Sequence, residues 1–437
     1  MFDYSSKKIS VEEALALVES GFNITVGLGG NEPQAFLGQL HTIADRVDDV
    51  TITNCMPTAK GEYLTETYIN KAFLIDSWFI TPTLRKLADT GRVSFIPNHL
   101  HLAASKRNFH KKTNIMICAA SMPEESGRIR FGCSNTYEEE IAKKADIVIL
   151  EISPNVPHVF GDNYLEWDDI DYVIECDYSL GTIPDVESNE KDMKIGELIA
   201  NLVQDGDCVQ VGIGGIPNAV CNFLKAKRNL GIHTEMMTTG IMELMRIGVV
   251  DGSKKQVDVG KVVCAFALGN QEMYDFMNDN PDILIKNGAL VNDPYVIARN
   301  DNQVSINTTV EIDLTGQCCS ESIGPVQISG TGGQADTAIG AQISKNGRSI
   351  IALYSTTAIK DAETGERKTV SKIVPTLRPG AAVSLSRNDV DWVVTEYGAV
   401  NLRGVTVREK AERLISIAHP DFRETLLEEA KTLKYLK

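Results

Sequence analysis

Apolar positions along this chain come in short β-branched or aliphatic runs that alternate with helical periodicity. The runs include Val50–Thr53, Ile115–Ala119, Ile147–Ile152, Val262–Ala267, Ser349–Leu353 and Trp392–Thr395. Because they are unbroken and separated by helical stretches, they predict parallel strands covered on both faces. The rhythm also repeats at a separation of about 185 residues. Residues 12–33 (EEALALVESGFNITVGLGGNEP) and 197–217 (ELIANLVQDGDCVQVGIGGIP) share one order. In each, an amphipathic helix stops at a glycine (Gly21, Gly206) suited to a C′ position. A short strand, a Gly-x-Gly-Gly turn and a Pro-led helix start follow. Two unrelated βα turns would produce some of this likeness, but the matched order favours duplication. The polar stretch Pro184–Lys194 predicts the connection between the copies. The expected fold is therefore α/β, with two tandem open α/β domains of similar topology and mostly parallel sheets, at 1–185 and 195–437. In such sheets ligands gather at the carboxyl ends of the strands.

Length agrees with that division, since 437 residues exceed the usual single domain. Charge narrows the ligand: 59 acidic residues against 43 basic ones leave a net −16. That balance argues against nucleic acid, which requires a basic face. Small anions stay in play, because backbone N–H groups and a few local cations can hold them. No apolar run approaches the ~18 residues of a membrane span, so no membrane partner is expected. The start, Met-Phe-Asp-Tyr-Ser-Ser-Lys-Lys, lacks the basic-then-apolar order of a secretory signal, and a cytoplasmic protein is expected. Nine scattered cysteines without a Cys-x-x-Cys pair predict reduced, buried thiols. Of the seven histidines only His99-Leu-His101 approaches a ligand spacing, and no metal is expected.

Five stretches carry candidate chemistry. Gly212-Ile-Gly-Gly-Ile-Pro217 follows the strand Cys208–Val211, and its N–H groups would reach a phosphate at a helix N-terminus. It lacks the third glycine of the dinucleotide fingerprint, and a purely structural turn is the equal alternative. Gly330-Thr-Gly-Gly-Gln334 is an oxyanion hole, a second phosphate cradle or a plain turn. Glu235 lies at the end of the short segment Ile232-His-Thr, ahead of an apolar helix at Ile241–Ile247. A glutamate there is ordinarily solvated; desolvated and oriented, it would be a nucleophile. Glu396, in Thr395-Glu-Tyr-Gly398, competes for the same role. Lys372, in Ser371-Lys-Ile-Val-Pro375, is a candidate cation for an anionic ligand on an acidic chain.

Several motifs in one order carry a resemblance that spans essentially the whole chain. They are Lys60-Gly-Glu-Tyr63, Val211-Gly-Ile-Gly-Gly-Ile-Pro217, Gly231-Ile-His-Thr-Glu-Met236, Ser329-Gly-Thr-Gly-Gly-Gln334, Ser371-Lys-Ile-Val-Pro375, Ser386-Arg-Asn-Asp389, Thr395-Glu-Tyr-Gly398 and Ile417-Ala-His-Pro-Asp-Phe422. With these the chain resembles the class I CoA-transferase superfamily and, within it, the acetyl-CoA hydrolase/transferase family, being most similar to the 4-hydroxybutyrate CoA-transferases. The resemblance implies ping-pong transfer of CoA between carboxylic acids through an acyl-glutamyl anhydride and a glutamyl-CoA thioester. It assigns the nucleophile to Glu235 and leaves Glu396 a structural strand-end residue. It matches the CoA-binding turn to Gly212, Ile213, Gly214, Gly215 and Ile216, and gives the N–H groups of Gly332 and Gly333 to the oxyanion or to CoA. Gln334, Asn307 and Lys372 are expected to orient substrate or contact phosphate. Acyl-CoA and short-chain carboxylates are the implied substrates, with no permanently bound cofactor and a homodimer as the expected assembly. Alanine at position 215 is expected to be harmless. Asn31-Glu-Pro33 and Met236-Met-Thr-Thr239 depart from the family pattern and are expected to line the acyl pocket. Hydrolysis of acyl-CoA by the same nucleophile, and a binding protein that has lost catalysis, are the competing readings.

Overall fold

A computed structural model describes residues 2–58, 61–360 and 365–437; Lys60 of the first motif lies outside them. Two large sheets dominate. The first has seven strands, in the order Tyr172–Glu175, Ile147–Ile152, Ile115–Ala120, Asn23–Val26, Val50–Asn54, Phe73–Ser77, Val93–Phe95, all parallel. The second has nine, centred on Arg348–Ala352, Gln303–Thr308, Cys208–Val211, Gly231–Met237 and Val262–Ala267, with Gly398–Asn401 as an antiparallel edge. The predicted strands all occur, within a residue or so of their expected ends. Their residues are buried on both faces, as in Ile115–Ala120 and Val262–Ala267, which is why the sequence shows runs rather than alternation.

The duplicated order is visible in the backbone. Ser10 with Glu13, and Asn189 with Asp192, form capping boxes that open the helices Val11–Ala16 and Glu190–Leu202. Gly21 and Gly206 are left-handed, and their N–H groups donate to Asp48 O and Arg228 O. They stand several residues beyond the helix ends Ala16 and Leu202, so they shape the following turn rather than occupy C′. The helix from Glu190 also claims the last part of the polar stretch Pro184–Lys194, whose charges lie on its first turn.

The halves are stitched together. The short strand Phe160–Gly161 leaves the first half and pairs with Ile283–Ile285 at the edge of the second sheet. One apolar cluster joins Leu28, Cys55, Trp78 and Phe131 to Met236, Phe266 and Leu268. Burial at about 25 cal/mol per Å² makes such a shared core the main force holding the halves in register.

Candidate active site

Register brings the sequence candidates together. Cys208 pairs with Gly231 and with Gln303, so three adjacent parallel strands end side by side. Continuing that register sets Glu235 and Asn307 level with Gly212. The strand bearing Glu235 runs from Gly231 to Met237; the glutamate therefore lies within a strand and not at the end of a short segment. Its neighbours are buried while it is only partly so, because its side chain points into a cleft.

That cleft has about 910 Å³ of empty space including its mouth. Gly212, Ile213, Glu235, Asn307 and the loop Ser329–Gln334 line it from the second half, and Met56 and Phe79 from the first. The Ser329 carbonyl accepts from Ile80 N–H at 3.1 Å, which ties the loop to the first half.

Glu235 Oε2 accepts a hydrogen bond from Asn292 Nδ2 at 2.8 Å. Desolvation pushes its carboxyl up to about 7, against the Asn292 bond and the Gly333 N–H, while the charge of Asp336 adds to the rise. The carboxylate also faces the N-terminus of the helix Gln334–Ile343, whose field favours negative charge. Position 333 must be glycine: a Cβ there would lie 1.9 Å from Glu235 Oε2 and 2.1 Å from Asn292 Nδ2. Behind the site, His233 Nε2 donates to Val291 O at 2.8 Å. Burial pushes that imidazole down to about 4, so it is a neutral strut that anchors the residue preceding Asn292. Chemically, the site pairs a dehydrated carboxylate with N–H groups able to meet developing negative charge.

The other candidates divide. Ile213 and Gly214 N–H donate to no acceptor among the described residues, which leaves them free for a ligand. Gly215 and Ile216 open the helix Gly215–Leu224. Alanine at 215 is not harmless, because its Cβ would stand 2.3 Å from Asp192 Oδ2. Asn307 lines the cleft, with its amide bonded to Ser305 Oγ (2.9 Å) and Thr337 Oγ1 (3.1 Å). Gln334 is committed internally, donating to Thr308 O and accepting from Ser320 Oγ. Lys372 lies outside the cleft, in a neighbouring cavity that shares Thr308 and Ser320 with it. Burial pulls its ammonium down to about 8 despite Glu396 and Glu311 nearby. Glu396 accepts from Ser355 N (2.8 Å) and Oγ (2.9 Å) and pairs with Lys191, a structural role. Of the two stretches expected at the acyl pocket, only Met236 reaches the cleft. The Asn31 amide is spent on Phe131 O and Cys133 N, Thr238 caps the helix Thr239–Arg246, and Thr239 bonds Asp185.

Sequence reasoning missed Asn292, Asp336, Met56, Phe79 and Phe266. Nothing local marks them, since each reaches the site through the tertiary fold. Among the described residues no cluster of three metal-ligating side chains occurs, and no helix is long and apolar enough to cross a membrane.

Two family models match the chain: the acetyl-CoA hydrolase/transferase N-terminal domain over residues 2–183 and the C-terminal domain of the same family over 269–430. The chain is 40% identical over 431 residues to the 4-hydroxybutyrate coenzyme A transferase of Clostridium kluyveri, covering 98% of each. It is 41% identical to the succinyl-CoA:cyclohexane-1-carboxylate CoA transferase of Geobacter metallireducens, covering 99% of this chain and 96% of that one. Among solved structures, RipA from Yersinia pestis superposes with a TM-score of 0.91 at 37% identity, covering 99% of both chains.

Proposed function

This chain belongs to the acetyl-CoA hydrolase/transferase family and is an enzyme of the CoA-transferase class, and from that premise we propose that it moves CoA between short-chain carboxylic acids with Glu235 as covalent nucleophile. The favoured acceptor is 4-hydroxybutyrate and the favoured donor acetyl- or butyryl-CoA; the full-length likeness to the Clostridium enzyme supports that choice. The observation that carries the mechanism is Glu235 itself, desolvated, held by Asn292 and pressed against Gly333.

A Glu235 carboxylate oxygen attacks the thioester carbonyl, and the resulting oxyanion is met by N–H groups of the Gly332–Gly333 turn. The C–S bond breaks, CoA leaves as thiolate, and an acyl-glutamyl anhydride forms. The thiolate then attacks the Glu235 carbonyl and expels the first acid as carboxylate, leaving a glutamyl-CoA thioester. An incoming carboxylate repeats the two steps in reverse. Ile213 and Gly214 N–H, with the helix end behind them, are offered to CoA. Asn292 orients the carboxylate that must attack.

Borohydride applied after acyl-CoA should reduce the thioester at Glu235, a change that peptide mass spectrometry reads. An unmodified Glu235 under turnover conditions would sink the assignment. CoA release that needs no added carboxylate would make the enzyme a hydrolase instead. Ranking acetate, butyrate, succinate and 4-hydroxybutyrate by kcat/KM tests the acceptor, and sedimentation of the purified chain tests the homodimer included in this reading.

A further inference from the structure

Glu235 is not the only carboxylate at the start of the helix Gln334–Ile343. Asp336 lies in the first turn of that helix and is 1% exposed. Its charge opposes the ionisation of Glu235. Two like charges at one helix end oppose each other's ionisation, and a buried carboxylate requires a partner. Among the described residues the ion-pair partners of Asp336 are the two histidines of the first half. His101 Nδ1 is 2.9 Å from Asp336 Oδ1 and His99 Nδ1 is 3.5 Å from the same oxygen. The His101 backbone N–H donates to Asp336 Oδ2 at 3.2 Å. The rings stack with centroids 6.0 Å apart, and the short turn Leu100–Leu102 packs on the helix Gly288–Val291 that leads to Asn292.

We propose that His101 is a positioning residue for the reaction: paired with Asp336, its imidazolium offsets the negative charge that Asp336 otherwise sets against the Glu235 carboxylate. The two halves thereby share the task of keeping the nucleophile ionised, and the His-Leu-His motif is electrostatic rather than metal-binding. The inference rests on Glu235 being the nucleophile. The groups that face this set are few. Glu235 meets Asn292, Gly333 N–H, Asp336 and the neutral Cys55 thiol; His101 meets Asp336 and Asp293, with Lys106 opposing. The Asp336 carboxylate beside it raises His101 above its ordinary value, which favours the imidazolium.

The test is the acid limb of kcat/KM for acyl-CoA. In His101→Gln the limb should move to higher pH by about half to one unit, a several-fold loss of rate near pH 6.5. Above the titration of His101 the wild type loses the same charge, so the two curves should converge. Asp336→Asn should move the limb the other way and abolish the effect of His101→Gln in the double variant. If Asp336→Asn fails to fold, His101→Lys supplies the opposite arm: a permanent cation should hold the limb at or below the wild-type position. A uniform loss at every pH, an unmoved limb, or a shift that persists in the double variant overturns the proposal. Borohydride labelling of the wild type reads the underlying mechanism separately. With Glu235 labelled and the limb unmoved, only the role of His101 falls; with Glu235 unlabelled, the nucleophile itself is wrong.

Discussion

The two glycine turns share a pattern and differ in what faces them. In Gly27-Leu-Gly-Gly-Asn31 every residue is buried, and Leu28 is 1% exposed. Gly27, Leu28 and Gly29 N–H donate to Ile117 O, Glu138 Oε1 and Cys55 O. The following helix Gln34–Gln39 presents Ala35 and Phe36 N–H to the Glu151 carboxylate, which also accepts from Tyr178 OH at 2.6 Å. In Gly212–Ile216 the equivalent leucine position is Ile213, 41% exposed, and among the described residues no acceptor takes the Ile213 or Gly214 N–H. The two turns are therefore alike in sequence order and unlike in occupancy. The first is satisfied by the protein's own carboxylates, whereas Ile213 and Gly214 N–H in the second meet no acceptor among the described residues. A glycine motif alone does not tell a site from a scaffold; the occupancy of its N–H groups does.

The largest expected effect falls on the open side. Gly333→Ala would drive a methyl into Glu235 and Asn292 at distances no real contact shows. Disturbance of the carboxylate's geometry and displacement of the residue-333 N–H from the oxyanion should lower kcat by about 10²–10³-fold, with circular dichroism unchanged. Wild-type turnover in that variant would remove the active-site half of the comparison. On the closed side, Glu138→Ala strips the acceptor from Leu28 N–H (2.9 Å) and Tyr137 N–H (3.0 Å). Two buried donors left unpaired should cost about 2–4 kcal/mol of stability, seen as a lower Tm. KM for acyl-CoA should stay within a factor of two or so, and a large rise in KM would mean that the first turn also serves the ligand.

The fold was legible where burial is two-sided. Ile147–Ile152, Val262–Ala267 and Trp392–Thr395 read as strands because continuous apolar runs have one economical solution between helix layers. That Gly212, Ile213, Glu235, Gly332 and Gly333 line one cleft was foreshadowed by two glycine turns and one motif glutamate. Asn292 and Asp336 were not, since an asparagine 57 residues beyond Glu235 carries no local mark of its partner. The same holds for Glu138, which lies 110 residues from the turn it closes. Which cavity Lys372 faces was not legible either, because scarcity of cations on an acidic chain does not say where a given cation points; it lines the cavity adjoining the cleft.

Gly215→Ala probes the boundary between site and scaffold. Asp192, which its Cβ would strike, is buried, closes the capping box with Asn189 and accepts from Tyr354 OH at 2.6 Å. Displacing it should cost about 1–3 kcal/mol and raise KM for acyl-CoA a few-fold by tilting the turn. The counterpart, Gly30→Ala, meets Tyr274 OH at 3.3 Å, a contact that a small shift of the ring relieves, and it should leave KM unchanged. Equal effects from the two substitutions would contradict the division of labour.

The smallest effect separates the two carboxylates themselves. Burial pushes Glu151 and Glu235 up to about 7 alike. Below an unfolded value near 4.5 both states hold the proton and each residue's contribution to stability is fully present. As pH rises through 7 the folded state must ionise a carboxyl that the unfolded state ionises freely, and stability is lost. For Glu235, which is partly exposed and held by one amide, the deficit should be on the order of 1–2 kcal/mol above pH 7. Glu235→Gln should therefore be more stable than wild type at pH 8 and indistinguishable from it near pH 4, as thermal melts across pH would record. Glu151→Gln should do the reverse at pH 8, because one carbonyl oxygen cannot serve Phe36 N–H, Ala35 N–H and the Tyr178 hydroxyl that the carboxylate now satisfies. A carboxylate kept against the interest of the fold marks a group retained for chemistry, whereas one whose two acceptor oxygens the fold uses marks a scaffold. If both substitutions moved stability in one direction, the two turns would be doing the same job.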